Sequence, residues 1–137
     1  MAESVRVVDY FYATVGDRPG EGRRLLEHLS EKAVNLVAFT GFPSGGGRAQ
    51  LDFVTDDVSA LHEAAADAGI DLVGPKKALL IQGDDRVGAL HDAHLRLANA
   101  GVNVHAANGV TDGSGRYGYV IWVKPEEFDL AARALGA

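Results

Sequence analysis

The sequence predicts an α+β chain made of two copies of one unit, each running strand, helix, strand, strand, helix, strand. Two observations carry this. A set of residues recurs at a constant offset of 68 positions: Asp17 with Asp85, Arg18 with Arg86, Gly20 with Gly88, Val34 with Val102 and Asn35 with Asn103. The same offset continues through Gly41 and Gly109, Gly45 and Gly113, Gly47 and Gly115, and Arg48 and Arg116. The other observation is that each copy alternates β-rich runs with runs whose apolar residues fall at helical spacing. A repeat at a fixed period outranks any local assignment.

In order, 5–15 reads as a strand rich in Val, Tyr and Phe, which Asp9 splits into 5–8 and 10–15. In its second part Phe11, Ala13 and Val15 alternate with Tyr10, Tyr12 and Thr14, so one set should face the helices. A tight Asp17-Arg18-Pro19-Gly20 turn follows, with Pro19 suited to a helix start because its missing N–H would have been unpaired there. Residues 21–32 read as helix, with Leu25, Leu26 and Leu29 on one face, and 34–42 as strand. Pro43-Ser44-Gly45-Gly46-Gly47 reads as a flexible hairpin turn, and 49–55 as a strand with Leu51 and Phe53 on one side and Gln50 and Asp52 on the other. An Ala-rich helix over 58–68 is expected to be capped by Asp56 or Asp57 and stopped by Gly69. A short strand at 70–73 then ends at a boundary marked by Gly74-Pro75. The second copy gives strand 78–82, helix 87–100, strand 102–110, turn 111–115, strand 117–123 and helix 125–135. The expected domains are therefore 1–75 and 76–137. The second has no fourth strand of its own, and residues 3–8 are expected to supply it, because bare strand edges invite aggregation.

Composition narrows the function. The chain has 137 residues, 47% of them hydrophobic, which suffices for one good core or two small ones. Thirteen basic against nineteen acidic residues give a net charge of −6, and no Lys/Arg cluster stands out, which excludes a phosphate-tracking nucleic-acid surface. The absence of cysteine excludes disulfides, zinc-thiolate sites and thiol chemistry. No apolar run is long enough to span a bilayer, and the start Met-Ala-Glu-Ser-Val-Arg does not read as a signal peptide, so a cytoplasmic protein is expected.

The paired stretches Asp17-Arg18-Pro19-Gly20…Val34-Asn35-Leu36 and Asp85-Arg86-Val87-Gly88…Gly101-Val102-Asn103-Val104 resemble the ACT domain, and nearly the whole chain resembles a tandem pair of them. The resemblance implies ferredoxin-like βαββαβ units, each an antiparallel sheet with both helices on one face. It implies side-by-side pairing of units, and a small ligand, usually an amino acid, at the interface between them. By position, the ligand-binding residues it implies are Asp17, Arg18, Pro19, Gly20 and Asn35 in the first copy, and Asp85, Arg86, Val87, Gly88 and Asn103 in the second. The chemistry is consistent: helix-start N–H groups and the Asn amide can donate to a carboxylate, and the Asp carboxylate can accept from an ammonium. Two departures stand out. Val87 replaces the family's Pro, so the second turn is less rigid. Val15 and Gly83 stand where serine-binding members often carry His, so serine is not the implied ligand.

Each candidate also has a plain structural role. Asp17 and Asp85 could cap their helices, and Asn35 and Asn103 could satisfy the turn after the first helix. Gly20 and Gly88 suit close backbone packing, and Arg18 and Arg86 suit a solvated surface. His91 and His94 share a helical face and His105 follows in the next strand, but the first copy has Arg23, Leu26 and Val37 there, and a metal site is not expected. Val120 and Trp122 should point away from the helices as a contact surface, either with the other unit or with a second chain.

These readings point to a regulatory sensor of a small metabolite, expected to be an amino acid. It would have no catalytic residue, metal or cofactor, and would act through a partner enzyme or regulator, or through its own assembly as a dimer. The alternatives are a metal-dependent enzyme, since the stretch from Leu51 to Gly69 also resembles the glyoxalase/dioxygenase superfamily, and a structural interaction module without a ligand.

Overall fold

The computed structural model describes residues 3–137. The strands are β1 (Ser4–Gly16), β2 (Leu36–Gly45), β3 (Arg48–Thr55), β4 (Val73–Asp84), β5 (Ala106–Thr111) and β6 (Arg116–Trp122). The helices are α1 (Glu21–Glu31), α2 (Val58–Ala68), α3 (His91–Asn99) and α4 (Phe128–Leu135), with a 3-10 turn at Pro125–Glu127 leading into α4. The fold is α+β and ferredoxin-like, with β1–β3, β2–β3, β4–β6 and β5–β6 all antiparallel.

The chain divides into two compact units. One is Asp9–Lys76; the other is Lys77–Ala137 together with the residues up to Val8. The strands β1 and β4 each contribute to both. In the first unit the strand order is β2-β3-β1-β4, using the parts of β1 and β4 between Asp9 and Lys76. In the second it is β1-β4-β6-β5, using β1 up to Val8 and β4 from Lys77. There Val5 packs against the second unit's core, and the Tyr117 hydroxyl donates to the Glu3 carboxylate. Asp9, the polar break in the first run, is where β1 passes from one unit to the other.

Side-chain alternation sets what each strand buries. Phe11, Ala13 and Val15 of β1 join Leu51 and Phe53 of β3 under Leu25 and Leu29 of α1 and Leu61 and Ala64 of α2. In the second unit Leu79, Ile81, Tyr117, Tyr119 and Ile121 pack with Ala93 and Leu97 of α3 and Phe128, Ala131 and Leu135 of α4. Val120 and Trp122 lie outside this helix-side set, as the alternation requires, and both are buried.

The duplication extends to individual hydrogen bonds. The Asp17 N–H donates to Gly47 O at 2.9 Å, and the Asp85 N–H to Gly115 O at 2.9 Å. The Val34 N–H donates to Leu29 O and the Val102 N–H to Leu97 O, both at 2.9 Å. Each Asp-Arg-x-Gly turn is thus tied to the end of a β-hairpin in its own unit.

Several boundaries differ from expectation. The hairpin after β2 is a two-residue Gly46-Gly47 turn, both residues at positive φ (63° and 72°), and Pro43 lies within β2 itself. On an edge strand the missing proline N–H costs no ladder bond. The strand expected at 70–73 begins only at Val73 and runs through Gly74-Pro75, so the expected limit between 75 and 76 falls inside β4. Gly74 makes this possible: at φ 140°, a Cβ there would come within 2.8 Å of the Tyr10 carbonyl oxygen. The helix expected from 87 starts at His91, because Gly88 at φ 79° turns the chain first, closed by His91 N–H to Gly88 O at 3.0 Å. The strand expected from 102 starts at Ala106. Asp57 caps α2, accepting from the Ala60 N–H at 3.1 Å, and Gly69 at φ 69° ends it.

Gly74→Ala should destabilise the chain by more than about 1 kcal/mol, since both φ and the Tyr10 carbonyl oppose a side chain. Urea denaturation measures this.

Candidate functional site

The first unit carries a cleft of about 280 Å³ where the turn after β1 meets the β2–β3 hairpin. One wall is apolar: Val15 of β1, Phe42 and Pro43 of β2, and Ala49 and Leu51 of β3. The rim is charged, with Asp17, Arg18 and Glu21. Gly16, Gly22 and Gly41 complete the lining, and at Gly16 a Cβ would lie 2.9 Å from Arg18 Nε, so the bare backbone is what lets the guanidinium fold over.

The turn holds its own shape. Besides the Asp17 bond to Gly47, the Arg18 N–H donates to Gly16 O at 3.0 Å. Gly20, not Asp17, is the N-cap of α1, at φ 91°, and as a glycine it makes no side-chain capping bond. Arg18 Nη2 donates to Glu21 Oε1 at 2.9 Å, and that bond is the chief cause holding the Glu21 carboxyl below its usual range. The Arg18 side chain is 75% exposed, and exposed pairs of this kind contribute little to stability, so the pair can open to another partner at small cost. Such a cleft offers a cation, an anion and an apolar wall within one small volume.

The structure brings together part of the predicted set. Asp17 and Arg18 line the cleft; Pro19 and Gly20 shape the turn and lie outside the lining. Asn35 is not on the lining: it is exposed before β2, and its backbone carbonyl accepts from the Thr55 hydroxyl at 2.8 Å. In the second unit Asp85, Arg86, Val87, Gly88 and Asn103 are all exposed. Sequence reasoning missed Glu21 and the hairpin wall. Glu21 was within reach, because it stands three residues after Arg18, the spacing of a helical ion pair. The hairpin residues carried no comparable mark, since only tertiary pairing brings 42–51 beside the turn.

Two further clusters bear on chemistry. His94 Nε2 lies 2.7 Å from the Tyr119 hydroxyl, and among the described residues no group of three or more His, Cys, Asp or Glu side chains could hold a metal ion. On the face of the first unit's sheet away from its helices, Asp52 is buried opposite Tyr12, with Gln50 Nε2 donating to its Oδ1 at 2.9 Å and the Lys76 ammonium 5.6 Å from the Tyr12 ring.

No family model matches the sequence, and no curated protein matches it. Solved structures do. A protein from Bacteroides thetaiotaomicron aligns with a TM-score of 0.81 at 17% identity, over 96% of this chain and 88% of that one. The regulatory subunit of aspartate kinase from Thermus flavus aligns with a TM-score of 0.64 at 16% identity, over 99% of this chain and 95% of that one. The corresponding subunit from Thermus thermophilus gives 0.62 at 19% identity, over 98% and 94%. The likeness is one of fold. Each alignment takes in nearly the whole of both chains. No helix among the described residues is long and apolar enough to cross a membrane.

Two pH effects follow from buried groups. Burial, and then the bond to the Glu3 carboxylate, push the Tyr117 hydroxyl up to about 12 from an ordinary 10.0. Between those values the unfolded chain gives up the proton first, so stability should fall as pH rises through that window. Tyr117→Phe should show a shallower loss in alkaline thermal melts. Burial also raises the Asp52 carboxyl, with Gln50 and Lys76 opposing to a lesser degree. The folded chain then holds that proton more tightly, so the group's contribution is most favourable at low pH and is lost as pH rises through the folded value. Asp52→Asn keeps an acceptor for Gln50 and should raise Tm at neutral pH, with the gap closing below the carboxylate range.

Proposed function

We propose that the chain is a tandem ACT-type regulatory module that senses an amino acid with an apolar side chain, held in the cleft of the first unit. The observation that carries this is the pairing of Arg18 and Glu21 beside the wall of Val15, Phe42 and Leu51. A zwitterion can insert between the two charges, its carboxylate on the Arg18 guanidinium and its ammonium on Glu21 or Asp17, in bonds stronger than neutral ones. Its side chain then leaves water for the apolar wall, at about 25 cal/mol per Å² buried. The N–H groups at the uncapped start of α1 add a field that favours the carboxylate.

Two of the structural neighbours are regulatory subunits of aspartate kinase, which supports a regulatory rather than a catalytic reading. Output would pass through a partner enzyme or regulator, or through assembly. The edge strand β2 beside the cleft exposes Phe39 at 40% and Phe42 at 41%, which supports a homodimer in which a second copy covers the open side. A ligand held by two copies is bound best in one arrangement, so binding selects that arrangement.

A thermal-shift panel of the proteinogenic amino acids tests the reading. Those with aliphatic or aromatic side chains should raise Tm, with about 2.7 kcal/mol of stabilisation at one hundred times the dissociation constant. Arg18→Ala should abolish the shift. A flat panel would remove the sensor reading.

A further inference from the structure

The two units are duplicates in sequence, yet their equivalent clefts are lined differently. The 68-residue offset places Tyr117 where Ala49 stands, Tyr119 where Leu51 stands, Gly83 where Val15 stands and Ala89 where Glu21 stands. Both tyrosines are buried in the second unit's own core, Tyr117 at 9% and Tyr119 at 6% exposure. Both are anchored at the hydroxyl as well, Tyr117 to the Glu3 carboxylate and Tyr119 to His94 Nε2 at 2.7 Å.

The glycines around them show that the rings need this space. A Cβ at Gly83 would lie 3.1 Å from Tyr117 Cε1 and 3.2 Å from Glu3 Cγ. One at Gly109 would lie 2.9 Å from Tyr119 Cδ1. Val15 could not be exchanged into position 83 without displacing a ring. The charged rim has changed too: Ala89 supplies no carboxylate, so the pairing of Arg18 with Glu21 has no counterpart three residues after Arg86.

We infer that only the first unit binds an amino acid, and that the second has become a structural half whose cleft is closed by Tyr117 and Tyr119, pinned by Glu3 and His94. This rests on the sensor reading above and adds a stoichiometry and a division of labour to it. The chain's own carboxylate, carried in on β1, takes a place beside the second unit's turn. The residue that decides which unit binds is the small Ala49 against the large Tyr117.

Isothermal titration measures it, with the proteinogenic amino acids supplied singly to the full chain. The wild type should bind no more than one equivalent per chain. Ala49→Tyr, which gives the first cleft the second unit's ring, should weaken binding at least a hundredfold with unchanged circular dichroism. Tyr117→Phe should bind as the wild type does. Two equivalents in the wild type would overturn the inference while leaving the sensor reading intact, and that measurement needs no variant to fold. Binding that survives Ala49→Tyr but is lost in Tyr117→Phe would also overturn it, by placing the site in the other unit. No binding by any amino acid would end the sensor reading and this inference together.

Discussion

The side-chain alternation of β1 is the constraint from which the rest follows. With Phe11, Ala13 and Val15 committed to the helix side, a shift of register by one residue would turn all three out and bring Tyr12 and Thr14 in. That register places Gly16 opposite Arg48 and Val15 opposite Ala49, so the β2–β3 hairpin ends beside the turn. The bond from Asp17 to Gly47 then closes the corner. The cleft is therefore a product of core packing: Val15 and Leu51 belong to the core at one side and to the cleft wall at the other.

The same corner has diverged between the units without loss of fold. Both keep the backbone bond from the turn to the hairpin, and both keep the bond that closes the first helix. What changed is the side chains these bonds surround. Tyr117 and Tyr119 stand in place of Ala49 and Leu51, and Gly83 in place of Val15. Close-packed interiors tolerate such exchanges when large and small residues swap in compensation. A duplicated unit can in this way keep its architecture while the side chains at one corner diverge.

Much of the fold was legible because it depends on local rules. The alternation along 10–15 and 49–55, the Asp57 cap and the Gly69 stop all operate within a few residues. The 68-residue offset identified the turns as equivalent, and they make equivalent bonds. The misreadings share a different origin. Gly74-Pro75 reads as punctuation, but the space beside the Tyr10 carbonyl lets a strand pass through it. Phe42, Ala49 and Leu51 could not be assigned to a site, because nothing within their own segment marks them.

The sequence by itself determined the duplication, the α+β class, the faces of the strands and the placement of the Asp-Arg-x-Gly turns. These follow from residue periodicity and backbone preference, which act locally. Only the tertiary structure decided that β1 and β4 each serve two units, that the hairpin closes on the turn, and that Tyr117 and Tyr119 are buried at the positions where Ala49 and Leu51 line a cleft in the first unit. Those outcomes depend on which distant side chains compete for one volume, and that volume exists only after the chain has folded.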